Sequence, residues 1–212
     1  MVDTGVDGLR RTETSGSERA LDGAAWVLTE LFTPAVSVIA ISVLCGAYGG
    51  DGANGFVLGV VLGACCGLIP YVTLEVASRR KRISDRHVTE HKDRPWAYMV
   101  CLASVAVGLV ALVFGGAPSL LIWAAITMAV GLLVAGSVTA IGPKVSMHAF
   151  CLVSLGVLLA HLSSPWWLLA LAVVLPLVVW SRLRLGHHSP IEVAWGTVLG
   201  ALVMGVALLL AP

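Results

Sequence analysis

Charged side chains are scarce in this chain. Asp, Glu, Lys and Arg together make up 12% of its 212 residues, which is about half the share found in an average soluble domain. Hydrophobic residues make up 58%, and the mean hydropathy is +0.94. This composition excludes an ordinary soluble domain. It predicts an integral membrane protein that is surrounded by membrane lipids and has no nucleic-acid partner.

Long polar stretches are also few, and the apolar runs between them are long. A helix that crosses a bilayer needs about 17 to 25 predominantly apolar residues. Seven segments reach this length or come close to it: 24–48, 54–76, 97–115, 119–141, 147–162, 166–181 and 190–211. We therefore predict an all-α, polytopic membrane helix bundle of six to seven transmembrane helices, which form a single domain over residues 23–212.

Basic residues are missing from one side of this predicted domain. If the seven segments all cross, the 13 Lys and Arg residues fall on one side, and the loops 49–53, 116–118 and 163–165 and the C-terminus contain none. Loops rich in Lys and Arg usually face the cytoplasm. We therefore predict a multi-pass protein of the cell membrane whose N-terminus and polar loops are cytoplasmic.

The first 22 residues lack apolar periodicity and mix Gly, Ser, Thr and both signs of charge. A segment of this composition cannot bury enough apolar surface to fold by itself, so we expect residues 1–22 to form a disordered cytoplasmic tail. A short apolar run that ends in a small-residue cleavage site is also absent, which argues against a secretory signal peptide.

Cysteine pairs with a redox or metal-binding spacing are absent. The five cysteines lie inside apolar runs and form no CxxC pair, so we interpret them as packing residues. The segment 87–91 reads His-x-x-Glu-His, a pattern of some zinc peptidases, but no third ligand is predicted downstream. We interpret it as part of a basic loop, 78–94, that attracts anionic lipid headgroups, and we predict no metal and no cofactor.

Small residues recur at helical spacing in two of the segments. Gly59, Gly63 and Gly67 form a ladder in the second span, and Gly196 and Gly200 repeat the spacing in the last one. Small residues four apart let two membrane helices approach closely. We therefore predict helix packing at both places.

Polar side chains concentrate in three islands, at 78–95, 142–149 and 181–192. Two crossings separate each island from the next, so all three are expected on one face of the membrane. Ionisable groups within a bilayer are costly and usually functional. Glu30, in the first span, is such a group, and we consider two positions for its side chain: near a functional site, or at the membrane interface. The islands supply these candidates: Arg94, Lys144, Arg182 and Arg184 as cations, Ser146 as a hydroxyl donor, His148, His187 and His188 as titratable groups, and Glu192 as a carboxylate.

This set of side chains suits a phosphate. Guanidinium and hydroxyl donors match its oxygens and neutralise its charge. Two histidines complete a mechanism, in which one attacks phosphorus while a carboxylate orients its ring, and the other protonates the leaving oxygen. Residues 189–192 also read as a capping box, with Ser189 at the N-cap of the last helix and Glu192 three residues later.

The third island resembles a motif of the type 2 phosphatidic acid phosphatase family, which comprises membrane lipid phosphatases and shares its site with vanadium haloperoxidases. The motif is S-R-x5-H-x3-D. Here Ser181 and Arg182 are followed by five residues, His188, three residues and Glu192, so that only Glu for Asp differs. The resemblance implies that His188 is the nucleophile, that Glu192 orients it, and that Arg182 binds the phosphate.

The other two motifs of that family are kept in part, and the resemblance extends over about residues 80–205. P-S-G-H appears as Val-Ser-Met-His at 145–148, which implies that Ser146 is a phosphate ligand and His148 the general acid. K-x6-R-P keeps Arg94 as a phosphate ligand, but His87 stands at the lysine position. Lys144 is the fourth predicted phosphate ligand, beside Arg94, Ser146 and Arg182. Further possible ligands are His87, Lys92, Lys81 and Arg184.

Together these features predict a membrane-embedded, metal-independent phosphatase that acts on a lipid phosphate or a prenyl (di)phosphate through a phosphohistidine intermediate. Two other functions stay open. One is a non-catalytic lipid-binding or scaffold protein built on a decayed phosphatase site, since fold does not imply function. The other is prenyl transfer, which usually needs Asp-rich clusters that hold magnesium; the apolar spans contain no such cluster.

Overall fold

The computed structural model describes residues 16–50, 52–85, 88 and 90–212, except for the side chain of His91. All regular secondary structure in these residues is helical, which confirms the predicted all-α class. A π-helical turn, Ala64–Leu68, joins α3 to α4, and a short 3-10 helix, His91–Asp93, precedes α5. The α-helices are α1 (Gly16–Leu31), α2 (Pro34–Gly49), α3 (Ala53–Gly63), α4 (Ile69–Arg79), α5 (Arg94–Phe114), α6 (Ser119–Ile141), α7 (Met147–Leu162), α8 (Trp167–Arg184) and α9 (Pro190–Leu208).

Six helical runs in the described residues are long and apolar enough to cross a membrane. They are Gly16–Gly49, Ala53–Arg79, Arg94–Phe114, Ser119–Ile141, Trp167–Arg184 and Pro190–Leu208. A seventh apolar helix, α7, has 16 residues, or about 24 Å at 1.5 Å per residue. These helices agree with the predicted six to seven, and the architecture is that of a multi-pass membrane protein.

The N-terminal part of the chain departs from the sequence prediction. α1 begins at Gly16, so that residues 16–22, which we expected in a disordered tail, are helical. Residues 1–15, the rest of that predicted tail, lie outside the described residues. α1 extends the helical run by about two turns before the predicted start of the first span at residue 24.

The predicted first span is also divided in two, because the helix breaks ahead of Pro34. Proline has no N–H to donate and cannot continue a helix from the turn before it, but it suits the first position of a new one. The Thr33 hydroxyl caps α2 by accepting a hydrogen bond from the Val36 N–H at 3.3 Å. This end of α2 faces the cavity described below.

Glycines let the second helical run lie directly on α2. A Cβ at Gly59 would lie 2.7 Å from the Ser42 carbonyl oxygen, and a Cβ at Gly67 would lie 2.9 Å from the Ala35 carbonyl oxygen. No larger residue fits without a shift of the backbone. The predicted packing role of this ladder is confirmed.

The close pairing of α7 with α9 builds the frame for two of the polar islands. The Ser146 N–H, just before α7, donates a hydrogen bond to the Glu192 carbonyl oxygen in the first turn of α9, at 3.1 Å. Gly196 faces the Ser146 carbonyl oxygen, and a Cβ at Gly200 would lie 2.5 Å from the Phe150 carbonyl oxygen. The predicted packing role of these two glycines is confirmed, and the N-terminal ends of the two helices lie side by side.

The three polar islands meet at one end of the bundle, as the number of crossings predicts. Arg94, at the start of α5, donates a hydrogen bond from Nη1 to the Val145 carbonyl oxygen at 3.0 Å, which joins the first island to the second. The bond between Ser146 and Glu192 joins the second to the third.

Helix α1 is attached to the end of α8 that carries the third island. The hydroxyls of Thr29 and Ser181 lie 3.2 Å apart. Glu30 is close enough to Arg182 for the two charges to attract each other. Of the two positions that we considered for Glu30, the structure supports the one near the islands.

Candidate active site

His188 and Glu192 are in direct contact. His188 Nδ1 lies 3.1 Å from Glu192 Oε2, and the same oxygen accepts a hydrogen bond from the Ser189 N–H at 3.0 Å. The second contact belongs to the predicted capping box, which is present. Glu192 therefore caps α9 and orients the histidine at the same time, and the longer side chain of Glu, where the family motif has Asp, still reaches the ring.

The contact with Glu192 also assigns the tautomer of His188. An ionised carboxylate can only accept hydrogen bonds, so the imidazole proton resides on Nδ1. Nε2 then carries the lone pair. His188 lines the same cavity as Arg94 and His148.

His188 is held in its neutral form. Burial lowers the pKa of His188, and the nearby positive charges, chiefly those of Arg182 and Arg94, lower it further, to about 2. Only 3% of its side chain is exposed. A neutral imidazole is the form that can act as a nucleophile.

Two buried guanidinium groups lie near His188 without a full set of partners. Arg182 is 1% exposed and Arg94 is 5% exposed. In the part of the chain that the structure describes, Nε and Nη1 of Arg182 and Nε of Arg94 have no hydrogen-bond partner. Buried charged donors that make no hydrogen bond are costly. This arrangement is typical of a site that an anionic ligand completes.

The second island adds a hydroxyl and an ammonium group. Ser146 is fully buried, and its Oγ has no hydrogen-bond partner among the described residues. Lys144 Nζ lies 3.5 Å from Glu192 Oε1. The Ser146 hydroxyl is thus available to a ligand, whereas Lys144 forms an ion pair with Glu192, the carboxylate that orients His188.

His148 occupies the first turn of α7, two residues after Ser146. It is buried, and it lines the same cavity as Arg94 and His188. Because an N-terminal helix end favours a nearby negative charge, the first turn of α7 adds to the positive potential of the cluster. His148 is placed where it can exchange a proton with a ligand in the cavity.

Three of the further candidate cations lie on the surface. Arg184 Nε forms an ion pair with Asp22 Oδ1 at 2.7 Å, which fastens α1 to α8. Lys92 is 74% exposed and pairs with Glu90 at 2.7 Å. Lys81 is exposed in the turn that follows α4. We therefore leave these three residues out of the phosphate-binding set.

The last of the further candidates, His87, lies outside the described residues, as does the His-x-x-Glu-His pattern that depends on it and on the His91 side chain. The described residues contain no group of three or more His, Cys, Asp or Glu side chains that could hold a metal ion. His187, beside His188, is half-buried, and burial together with the Arg182 charge lowers its pKa.

Asp85 is a residue that sequence reasoning did not place at the site. Its carboxylate is close enough to Arg94, Arg182 and His187 for the charges to interact. No sequence pattern signals this position, since it depends on the path of the loop after α4. Asp85 therefore belongs to the electrostatic surroundings of the cluster.

Asp93 fixes part of that loop. Its Oδ2 accepts hydrogen bonds from both the N–H and the Oγ of Ser84, each at 2.7 Å. Both hydrogen bonds lower the pKa of Asp93, and the bond from the Ser84 backbone N–H has the larger effect. Because Arg94 follows directly, the bonds also set where the guanidinium enters the site.

A network around Thr139 supports the second island. Thr139 Oγ1 accepts a hydrogen bond from the Val145 N–H at 3.2 Å and lies 3.3 Å from the hydroxyl of Tyr98. Tyr98 in turn follows Arg94 by one helical turn on α5. The network aligns the Val145 carbonyl that holds Arg94.

The structure thus brings together most of the site residues that the sequence predicts. The cluster, called the phosphate cluster below, consists of Arg94, Lys144, Ser146, His148, Arg182, His188 and Glu192. Comparisons with protein-family models, with curated proteins and with solved structures find no match for this chain.

Proposed function

We propose that this chain is a membrane-embedded phosphatase of the type 2 phosphatidic acid phosphatase kind, which hydrolyses a lipid phosphate or a prenyl (di)phosphate without a metal ion. The observation that carries the proposal is the set of buried donors without partners, on Arg94, Arg182 and Ser146, next to a neutral histidine held by Glu192. A phosphate group would complete these donors.

The first chemical step is transfer of the phosphoryl group to His188. Nε2 attacks phosphorus, and the bond from phosphorus to the ester oxygen breaks as the new P–N bond forms. The leaving oxygen takes a proton from His148. The proton on Nδ1 stays on the ring and donates its hydrogen bond to Glu192, whose negative charge stabilises the positive ring of the phosphohistidine.

The second step returns the enzyme to its starting state. A water molecule attacks phosphorus, and His148, now neutral, takes its proton. The P–N bond breaks, inorganic phosphate leaves, and His188 is again neutral. The cationic donors of Arg94 and Arg182 neutralise the charge on the phosphoryl oxygens in both steps, a task that a metal ion performs in other phosphatases.

We also propose that the cluster faces the cytoplasm. Four basic residues at the same end of the bundle do not belong to the cluster: Arg79, which ends α4, and Arg80, Lys81 and Arg82, which follow it. They therefore report the orientation independently of the catalytic arginines. The enzyme would then act on phosphates of the inner leaflet, such as prenyl-linked sugar phosphates or phosphatidylglycerol phosphate.

Phosphate release from a prenyl phosphate by purified protein in detergent, with EDTA present, tests the proposal. We expect turnover that His188→Ala abolishes, because no other group takes over as nucleophile. His187→Ala is the matched control and should keep most of the activity.

Two outcomes would contradict the proposal and identify its competitors. Activity that needs magnesium and yields a prenylated product would indicate prenyl transfer. If no lipid phosphate is turned over, and if His188→Ala also changes nothing in cells, the chain is a lipid-binding or scaffold protein.

A further inference from the structure

An apolar cavity continues from the phosphate cluster into the membrane domain. It has a volume of about 200 Å³ and lies among α2, α4, α5, α6, α7 and α9. Arg94, His148 and His188 line its polar end. Trp123, near the start of α6, and Met204, near the end of α9, line its other end. The cavity therefore extends away from the reacting groups into the hydrocarbon region.

Away from its polar end, two of the polar side chains in its walls already donate hydrogen bonds within the protein. The Ser154 hydroxyl already donates to the Gly200 carbonyl oxygen at 3.2 Å, and the indole N–H of Trp123 donates to the Ala207 carbonyl oxygen at 3.1 Å. A cavity with such walls has little to hold water. It fits a hydrocarbon chain.

The dimensions restrict that chain. Arg94 and Val105, both in the wall, are separated by about 16 Å along α5 at 1.5 Å per residue. An extended carbon chain advances roughly 1.3 Å per bond, so about 12 carbons cover that depth. By volume, a cavity of about 150 Å³ holds benzene, so a cavity of about 200 Å³ holds roughly eight carbons.

We infer that this cavity binds the single hydrocarbon tail of the substrate, that the tail has about 8 to 12 chain carbons, and that Trp123 and Met204 form the floor that limits its length. The inference rests on the proposed function. It narrows the substrate class to single-chain alkyl or short prenyl phosphates. Of the inner-leaflet lipids named above, it therefore rejects phosphatidylglycerol phosphate, whose two long acyl chains exceed this volume.

The length limit is steric. A tail that moves from the bilayer into an apolar cavity exchanges one hydrocarbon environment for another, so no hydrophobic gain grows with its length. A tail that is too long must push against a close-packed floor, which strains the core. Beyond the limit, the rate should therefore fall sharply instead of reaching a plateau.

The test is kcat/KM for octyl, decyl, dodecyl and hexadecyl phosphate and for geranyl and farnesyl phosphate in mixed micelles. We expect the first three alkyl esters and the two prenyl esters to agree within a few-fold, and hexadecyl phosphate to be at least about tenfold slower. Equal rates for all lengths would overturn the inference and leave the phosphatase intact.

Two variants locate the floor. Trp123→Ala should restore hexadecyl phosphate to within a few-fold of decyl phosphate, and Ala124→Leu, which narrows the same wall, should disfavour dodecyl phosphate. Trp166→Ala is the matched control, because Trp166 is 74% exposed and outside the cavity. If neither cavity variant changes the length preference, Trp123 does not form the floor.

A binding measurement separates this inference from the proposed function. Alkyl phosphonates cannot be hydrolysed, and their binding is measured by the rise in thermal unfolding temperature. Stabilisation that is greatest at 8 to 12 carbons, in a protein without turnover, would keep the cavity assignment and reject the phosphatase. A rise in unfolding temperature that does not depend on chain length would reject the cavity assignment.

Discussion

At the scale of single residues, Glu192 has two tasks that one substitution can separate. Its Oε2 holds both the Ser189 N–H and the ring of His188. In Glu192→Gln, the amide oxygen can still cap the helix, but the negative charge that stabilises a positive ring is lost. We expect kcat to fall by on the order of 10²- to 10⁴-fold, with a thermal unfolding temperature within a few degrees of the wild type.

Phosphate-release kinetics and a melting curve check this prediction. Glu192→Ala is the comparison, because it removes the cap as well and should lower the unfolding temperature. Activity close to that of the wild type in Glu192→Gln would show that the carboxylate serves the helix and not the reaction.

The neutral state of His188 predicts a dependence of stability on pH. Its pKa is lowered from 6.5 to about 2, so between these values the unfolded chain binds a proton that the folded chain does not. The free energy of unfolding must then fall as the pH drops below about 6.5, by up to about 1.4 kcal/mol per pH unit for this group.

Unfolding by SDS in mixed micelles at pH 7 and pH 5 measures the effect, with His188→Asn as the reference because it lacks the titrating ring. The variant should lose less stability between the two pH values than the wild type does. Equal losses would mean that His188 is not buried in its neutral form.

At the scale of helices, the geometry of the cluster depends on how closely α9 approaches α7. Gly196 lies against the Ser146 carbonyl oxygen, whereas nothing lies within 4 Å of a Cβ at Gly205 on the same helix. Gly196→Ala should therefore push α9 outward and lower both stability, by about 1 to 3 kcal/mol, and the rate of phosphate release.

Gly205→Ala is the matched control, since it makes the same change in open space and should stabilise the helix slightly. Thermal unfolding and kcat for the two variants give the answer. If Gly196→Ala behaves like Gly205→Ala, the contact between the two helices does not position the cluster.

Most helices follow from the apolar runs, but their interruptions do not. The break before Pro34 has a local signal, Thr33 as N-cap and Pro34 at the first position, which the continuous apolar run around it conceals. The π-helical turn at Ala64–Leu68 has no comparable signal in the sequence.

At the scale of the whole molecule, the sequence predicts the cluster better than its surroundings. Arg182 lies in the last turn of α8, His188 in the short loop that follows, and Glu192 in the first turn of α9, so one short connection holds all three. Asp85 and the cavity escape prediction because they depend on the path of a loop and on six helices at once. The second and third islands meet through the glycine contacts of α9, which the sequence predicts only as packing.

The orientation of the whole bundle is tested by cysteine labelling. In a variant that lacks the five native cysteines, Ser163→Cys in the α7–α8 turn should react with a membrane-impermeant maleimide added to intact cells. Glu90→Cys, exposed in the loop before α5, should react only after lysis. The reverse pattern would place the cluster outside the cell.

Trapping of a covalent intermediate tests the central claim most directly. The protein is mixed briefly with a prenyl phosphate that carries a ³²P label, denatured in alkali, in which phosphohistidine survives, and digested for peptide mapping. We predict label on His188, absent from His188→Ala and present in His187→Ala. Turnover with no labelled histidine, or label that persists in His188→Ala, would contradict the account.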